Sequence, residues 1–310
     1  RRTVEKHILP HIGNIRLKDL RPERVERLYA SLLKAGTGVR TVRIVHAVLH
    51  RSLEKALRYG LILRNPTDGA ALPQYKHAEM MVLDETQVSQ LLVAVKGSRH
   101  EALYHLAVTT GMRMGELFGL RWSDLHWVSG RMYVRRQVQY VPGHGWSFVE
   151  PKTRSGRRTI KLGEGVLQAL REHLERQQNE RVLVGERWVE HDLIFPSKSG
   201  MPMDPSNLRL DFGRVLRQAG LPKIRFHDLR HTAASLMLNH GVPVIVVSKI
   251  LGHSKPSITM DIYGHLYNEM QDEAAQLMDE LVTPICTQLH PKNESLLEKQ
   301  AQAPDVGAKR

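Results

Sequence analysis

The sequence predicts a mainly α protein with a small antiparallel β-sheet, divided into a basic helical N-terminal domain and a larger mixed domain. Three observations carry this. Apolar residues recur at helical spacing over most of the chain, two stretches near its middle alternate with period two, and an irregular, proline-containing stretch separates the basic region from the rest.

Pro22 follows Leu20-Arg21 where a helix would begin, and Val25, Leu28, Tyr29, Leu32 and Leu33 follow at helical spacing until Gly36 and Gly38 close it. A second helix carries Val42, Val45, Leu49, Leu53, Ala56 and Leu57 and ends at Gly60, placed as a capping glycine. Its other faces show Arg40, Arg43, His46, Arg51, Lys55 and Arg58, basic positions available to phosphates. Arg40, Arg43, Arg51 and Lys55 are the candidate DNA-binding residues, a solvated basic face being the plainer alternative. Asn65-Pro66-Thr67-Asp68-Gly69 breaks regular structure, and Leu72 to Met81 reads as a linker. Asp84-Glu85-Thr86-Gln87 has the pattern of a capping box opening a helix with Val88, Leu91, Leu92 and Val95 inward.

Met132, Val134 and Val138 alternate with Tyr133, Arg135 and Gln137, which predicts one half-buried strand, and Arg158 to Leu162 predicts another. Between them Pro151 to Gly156 has the composition of an exposed turn. Helical patterns follow over 164–182, 205–219, 228–239, 243–251 and 270–281. The expected domains are therefore 1–75, 76–285 and a polar, disordered tail over 286–310.

Of the 310 residues 41% are hydrophobic and 25% charged, ordinary for a soluble globular protein. No apolar run approaches the roughly 18 residues needed to span a bilayer, and the first residues lack the apolar stretch of a secretory signal. Cys286 stands alone, so an internal disulfide and a cysteine-based zinc site are excluded. These features favour the cytoplasm. The chain does not begin with Met and reads as a fragment or a processed product. Its net charge of +13 attracts polyanions, nucleic acid being the commonest. Residues 1–72 hold 15 Lys and Arg against 6 Asp and Glu, a net of +9, so most of the excess lies in the first domain.

Four separated segments contain polar residues that a plain helical core does not require. They are Thr110-Gly111-Met112-Arg113-Met114-Gly115-Glu116-Leu117, the turn at Lys152, His227-Asp228-Leu229-Arg230-His231-Thr232, and Leu251-Gly252-His253 with Tyr263 ten residues after its histidine. In their order along the chain these segments resemble the catalytic motifs of the tyrosine recombinases, the phage integrase family, and the likeness runs from residue 1 to about 285. By that resemblance the family's first arginine matches Arg113, its β-turn lysine Lys152, its His-x-x-Arg pair His227 and Arg230, its second histidine His253 and its nucleophile Tyr263. Glu116 matches a supporting acidic residue. The resemblance implies a helical core-binding domain, N-terminally truncated here, followed by a mixed α/β catalytic domain.

The chemistry explains why these residue types belong together. A tyrosine oxygen attacking a DNA phosphorus passes through a pentacoordinate state whose extra negative charge needs fixed cations, and Arg113 and Arg230 suit that role. A phenol with pKa near 10 needs help in losing its proton, so His227 is the candidate general base or orienting group. Lys152 would protonate the departing 5′-oxygen, and His253 would donate a hydrogen bond to the scissile phosphate. The 3′-phosphotyrosine ester retains the energy of the broken bond, so rejoining needs no ATP. No metal or other cofactor enters this scheme. The resemblance further implies recombination sites in duplex DNA, a homotetramer on two synapsed sites, accessory DNA-bending proteins, and integration or excision of a mobile element in a prokaryotic, nucleoid-associated setting.

Alternatives exist at several positions. Lys161, Arg154, Arg157 and Arg158 compete with Lys152, and Tyr267 competes with Tyr263. His227 and His231 have the i, i+4 spacing of a metal-binding pair, but Asp228 stands where a zincin helix carries Glu. A DNA-binding protein without catalysis would show a defect in the motif set, and none is visible; a type IB topoisomerase uses similar chemistry. Ala274, Leu277, Met278, Leu281 and Val282 form an apolar face for a neighbouring protomer or for the chain's own domain.

Overall fold

The structure, a computed structural model, describes residues 2–75, 81–141, 143–151, 153–263 and 275–282, with backbone alone for 154 and 261–263. The predicted boundary at residue 76 and the tail from 286 lie outside these residues. The chain divides into two compact units, Arg1–Glu79 and Met80–Arg310.

In the first unit a π-helical turn, Val4–Ile8, runs into α1 (Leu9–Ile12). Two longer helices follow, α2 (Pro22–Lys34) and α3 (Val39–Arg58). Val25, Leu28, Tyr29 and Leu32 of α2 share one buried cluster with Val42, Val45, Leu49 and Leu53 of α3, and fully burying such a side chain contributes about 1.5–3 kcal/mol. Leu33, expected in the stripe, points outward instead. The glycine reading of the α3 end is right: Gly60 has φ +68° and donates to Leu57 O at 3.0 Å, while Leu61 donates to Ala56 O at 3.0 Å. Asn65 is buried. Its side chain accepts from the Thr67 amide and hydroxyl at 3.1 and 2.6 Å and donates to His50 O at 3.2 Å, so the break after α3 is an anchored turn.

The second unit opens on α4 (Glu85–Val95), where Asp84 accepts from the Gln87 amide at 2.8 Å and Gln87 returns the bond at 3.1 Å. Two helices follow that periodicity did not show, α5 (Glu101–Thr110) and α6 (Met114–Gly119). Eight of the ten residues of α5 are buried, so it has no polar face to create a stripe. Strands β1 (Leu125–His126), β2 (Arg131–Val134), β3 (Gln137–Val141), β4 (Gly145–Val149) and β5 (Arg158–Lys161) form two antiparallel sheets, β1-β2-β5 and the hairpin β3-β4. The single strand expected over 132–138 is thus two. The chain leaves the first sheet where Arg136 turns inward onto buried Asp124, at 2.5 Å, and this breaks the run between Val134 and Val138.

Helices α7 (Glu164–Val184), α8 (Pro205–Gln218), α9 (Asp228–Asn239) and α10 (Val244–Leu251) follow the predicted patterns closely. A further helix, α11 (Pro256–Tyr263), packs on α10. Residues 275–282 are helical, with Leu277, Met278, Leu281 and Val282 exposed; Ala274 lies outside the described residues. Among the described residues no helix is long and apolar enough to cross a membrane.

Candidate active site

Gly111 ends α5 with φ +60°, which turns the chain so that Arg113 begins α6 in extended conformation. Glu116, one turn on and only 2% exposed, accepts the Arg113 amide at 3.0 Å and its guanidinium at 2.8 Å. A second arginine reaches the same carboxylate: Arg158 of β5 donates to it at 2.9 Å. Burial alone would raise the Glu116 pKa, but the hydrogen bond and charge of Arg158, with the Arg113 bonds, hold the carboxyl below its ordinary range. Glu116 is therefore ionised, and it fixes the Arg113 backbone and fork while the Arg113 side chain stays 41% exposed.

Helix α9 starts at His227 and is held by Asp228, whose carboxylate accepts the Arg225 amide at 2.7 Å and its guanidinium. One turn in, buried Arg230 donates through Nη1 to Gly111 O and to Leu251 O, each at 2.8 Å. These carbonyls lie two residues before Arg113 and two before His253. One guanidinium thereby ties three of the sequence motifs together. Helix α10 ends at Gly252, φ +71°, and His253 follows with Nδ1 hydrogen-bonded to the buried hydroxyl of Thr259 at 2.8 Å.

Burial, the charges of Arg230 and Arg113, and further positive neighbours push the His253 pKa to about 4. The ring is neutral near pH 7. If the Thr259 hydroxyl donates to Nδ1, the proton sits on Nε2 and that nitrogen is a donor, the tautomer an anionic oxygen requires. His227 is exposed, with its ring edge-on to His231 at 5.5 Å between centroids. Desolvation and then Arg230 lower its pKa from the usual value, so it too is neutral and able to accept a proton. Both histidines sense Arg113 and Arg230, which places the four groups in one electrostatic neighbourhood.

The backbone of Tyr263 closes α11, and its side chain is not among those described. Lys152 and Tyr267 lie outside the described residues. Arg40, Arg43, Arg51 and Lys55 are all exposed on α3 of the first unit. Arg43 also donates to Pro73 O at 3.0 Å, and the Lys55 ammonium lies 5.4 Å from the Tyr59 ring centre. His46, counted with the basic positions of that helix, is half-buried. It is hydrogen-bonded to Tyr29 Oη at 2.7 Å, and burial followed by its charged neighbours lowers its pKa.

A domain model described as the phage integrase family matches residues 81–270, well over half of the chain. The chain belongs to that family. It is a tyrosine-type site-specific recombinase. Two relatives extend the match over both units: a XerC-like tyrosine recombinase of Caldanaerobacter subterraneus subsp. tengcongensis, 29% identical, covering 89% of this chain and 76% of that protein, and an integrase of Streptomyces ambofaciens, 31% identical, covering 89% and 72%. The Tn1549 transposon integrase, solved in complex with a circular-intermediate DNA, shares the fold with a TM-score of 0.75 at 23% identity, covering 89% of this chain and 90% of that one.

Against this background the recombinase has one residue whose importance the motifs did not announce. In the sequence Arg158 opens a predicted strand and competes with Lys152. A signal for it existed: in β5 it shares a face with buried Ile160, and an arginine on the inner face of a strand must be paired. Asp228, beside the His227–His231 pair, is engaged with Arg225, and among the described residues no group of three or more His, Cys, Asp or Glu side chains is placed to hold a metal ion.

Proposed function

We propose that the recombinase cleaves and rejoins duplex DNA through a 3′-phosphotyrosine formed by Tyr263, in the integration or excision of a mobile element. The observation that carries this is the pair of hydrogen bonds that Arg230 donates to the carbonyls of Gly111 and Leu251, which gathers the Arg113, His227 and His253 segments around one point. Two guanidiniums there would neutralise the non-bridging oxygens of the pentacoordinate phosphorus. His253 Nε2–H would donate to one of them. His227 would take the Tyr263 proton as its Oη attacks the phosphorus, and the 3′-side phosphate passes to tyrosine as the bond to the 5′-oxygen breaks. Lys152, which lies between β4 and β5 in sequence, would protonate that leaving oxygen. A 5′-hydroxyl of the partner strand then attacks the phosphotyrosine and releases Tyr263, with no net change in bonds and no need for ATP.

In this reading 1–75 is a core-type DNA-binding domain whose α3 arginines face phosphates, and 76–285 is the catalytic domain. The net charge of +13 supports a polyanionic partner. A homotetramer on two synapsed sites in a prokaryotic cytoplasm follows from the family resemblance. The test is incubation with a pool of nicked duplexes of randomised sequence, then denaturing electrophoresis and sequencing of the trapped strands. The expected result is a covalent adduct, unaffected by excess chelator and lost in Tyr263→Phe. An adduct that survives Tyr263→Phe overturns the assignment; loss with Tyr267→Phe alone transfers it.

A further inference from the structure

We infer that Arg158 is a positioning residue of strand cleavage: by single hydrogen bonds it locks the Arg113–Glu116 pair, the turn at Ser155 and Gly156 that follows Lys152 in sequence and the end of α10 before His253 into one register. This rests on the catalytic roles proposed above.

Four observations support it. Arg158 is buried, its side chain 7% exposed, so its charge is present for a reason internal to the fold. Its three nitrogens each go to a different segment: Nη2 to Glu116 at 2.9 Å, Nε to Ile250 O at 2.5 Å and Nη1 to Gly156 O at 3.3 Å. Glu116 in turn holds Arg113. Finally, Gly252 lies so close that a Cβ on it would stand 2.8 Å from Arg158 Nη1 and 2.9 Å from Ser155 O, so the segment before His253 presses directly on the turn. The three acceptors lie around the fork and are met by three separate nitrogens, a spread that the single nitrogen of an ammonium does not reproduce.

The consequence concerns placement. Without the fork, the turn that follows Lys152 and the Arg113 segment lose their common anchor, while the groups themselves remain. Misplacement of this kind costs roughly 10- to 100-fold in rate. A duplex recovered in the trapping experiment, made with either oxygen or sulfur at the scissile 5′-bridge, separates the contributions. A 5′-thiolate leaves without protonation, so it does not need Lys152 in place.

Arg158→Lys should therefore cleave the oxygen duplex ~10- to 100-fold more slowly in a single turnover, with unchanged DNA affinity, and recover a substantial part of the loss on the sulfur duplex. Glu116→Gln, which leaves the bonds of Arg158 to Gly156 O and Ile250 O in place, should be slowed on both duplexes alike. The measurements are made well below each variant's melting temperature, so that loss of stability alone leaves the rate near that of the parent. A parent-like rate for Arg158→Lys, a defect mirrored in DNA affinity, or equal rescue of both variants by sulfur overturns the inference. Absence of any adduct with the parent protein overturns the catalytic reading itself.

Discussion

Glu116 holds Arg113 twice, once by its amide at 3.0 Å and once by its guanidinium at 2.8 Å, and does so from a position almost closed to water. The same carboxylate neutralises buried Arg158. Glu116→Ala would leave that arginine uncompensated, a change that costs about 3–5 kcal/mol in buried pairs. The melting temperature should fall by on the order of 10 °C. Thermal unfolding checks this, and a shift of only a degree or two would mean that Arg158 finds another acceptor.

Arg230 offers a second test. Its Nη1 serves two carbonyls in different segments, and the rest of the guanidinium belongs to the neighbourhood that includes Arg113 and His253. Arg230→Ala should lower the single-turnover cleavage rate by ~10²–10³-fold, the scale of losing one charge-stabilising donor. Arg230→Lys should restore little, because an ammonium held by the two carbonyls offers no planar fork to a phosphate. Full activity in the lysine variant would show that charge alone suffices there.

Much of this was legible beforehand because it is written locally. The stripes of α2 and α3, the capping box at Asp84 and the glycine end at Gly60 each depend on residues within a few positions of one another. The elements that escaped are those set by distant partners. Helix α5 is buried on nearly every side and so has no period to read; the strand expected over 132–138 breaks because Arg136 is drawn to Asp124 twelve residues away. The candidate catalytic residues were recognisable from their spacing, whereas Arg158 works through Ile250, 92 residues on in sequence.

The histidines give a pH prediction. Desolvation first, then Arg230, lowers the pKa of both His227 and His253, the latter to about 4. A base that must be unprotonated to accept the tyrosine proton keeps working as pH falls until its lowered pKa is reached. Cleavage in a single turnover should thus hold its rate from neutrality down through pH 6.5, with the acid limb below the ordinary imidazole value. His227→Gln should slow the reaction and remove that limb. Stability follows the same sign. The unfolded chain takes these protons near 6.5, so folding stability is fully present above that pH and is lost between there and about 4. Buried His173, also pushed to about 4, adds to the slope, and urea midpoints for His173→Gln at pH 7 and 4.5 should lie closer together than for the parent.

Gly252 should tolerate no side chain. Its φ of +71° already disfavours one, and a Cβ would meet Ser155 O and Arg158 Nη1 inside 3.0 Å. Gly252→Ala is expected to cost about 1–3 kcal/mol from the backbone conformation and crowding. Cleavage should slow well beyond what unfolding explains, since His253 is the next residue. A stable alanine variant with the parent rate would show that the turn and α10 can separate without consequence.

The first unit can be probed by salt. Each phosphate neutralised by a side chain adds about 0.9 to the slope of log affinity against log salt concentration. Arg51 is exposed on α3, while Arg43, also exposed, is partly committed to Pro73 O. Arg51→Ala should therefore reduce the slope by about one on duplexes of any sequence, which is the signature of a backbone contact. Arg43→Ala should reduce it less and also lower the melting temperature, because it releases the 71–75 segment from α3. Fluorescence anisotropy on a 24-bp duplex of arbitrary sequence, between ~50 and 200 mM salt, measures both. An unchanged slope for Arg51→Ala would remove this helix face from the DNA interface, and an effect confined to one sequence would make Arg51 a reader of bases instead.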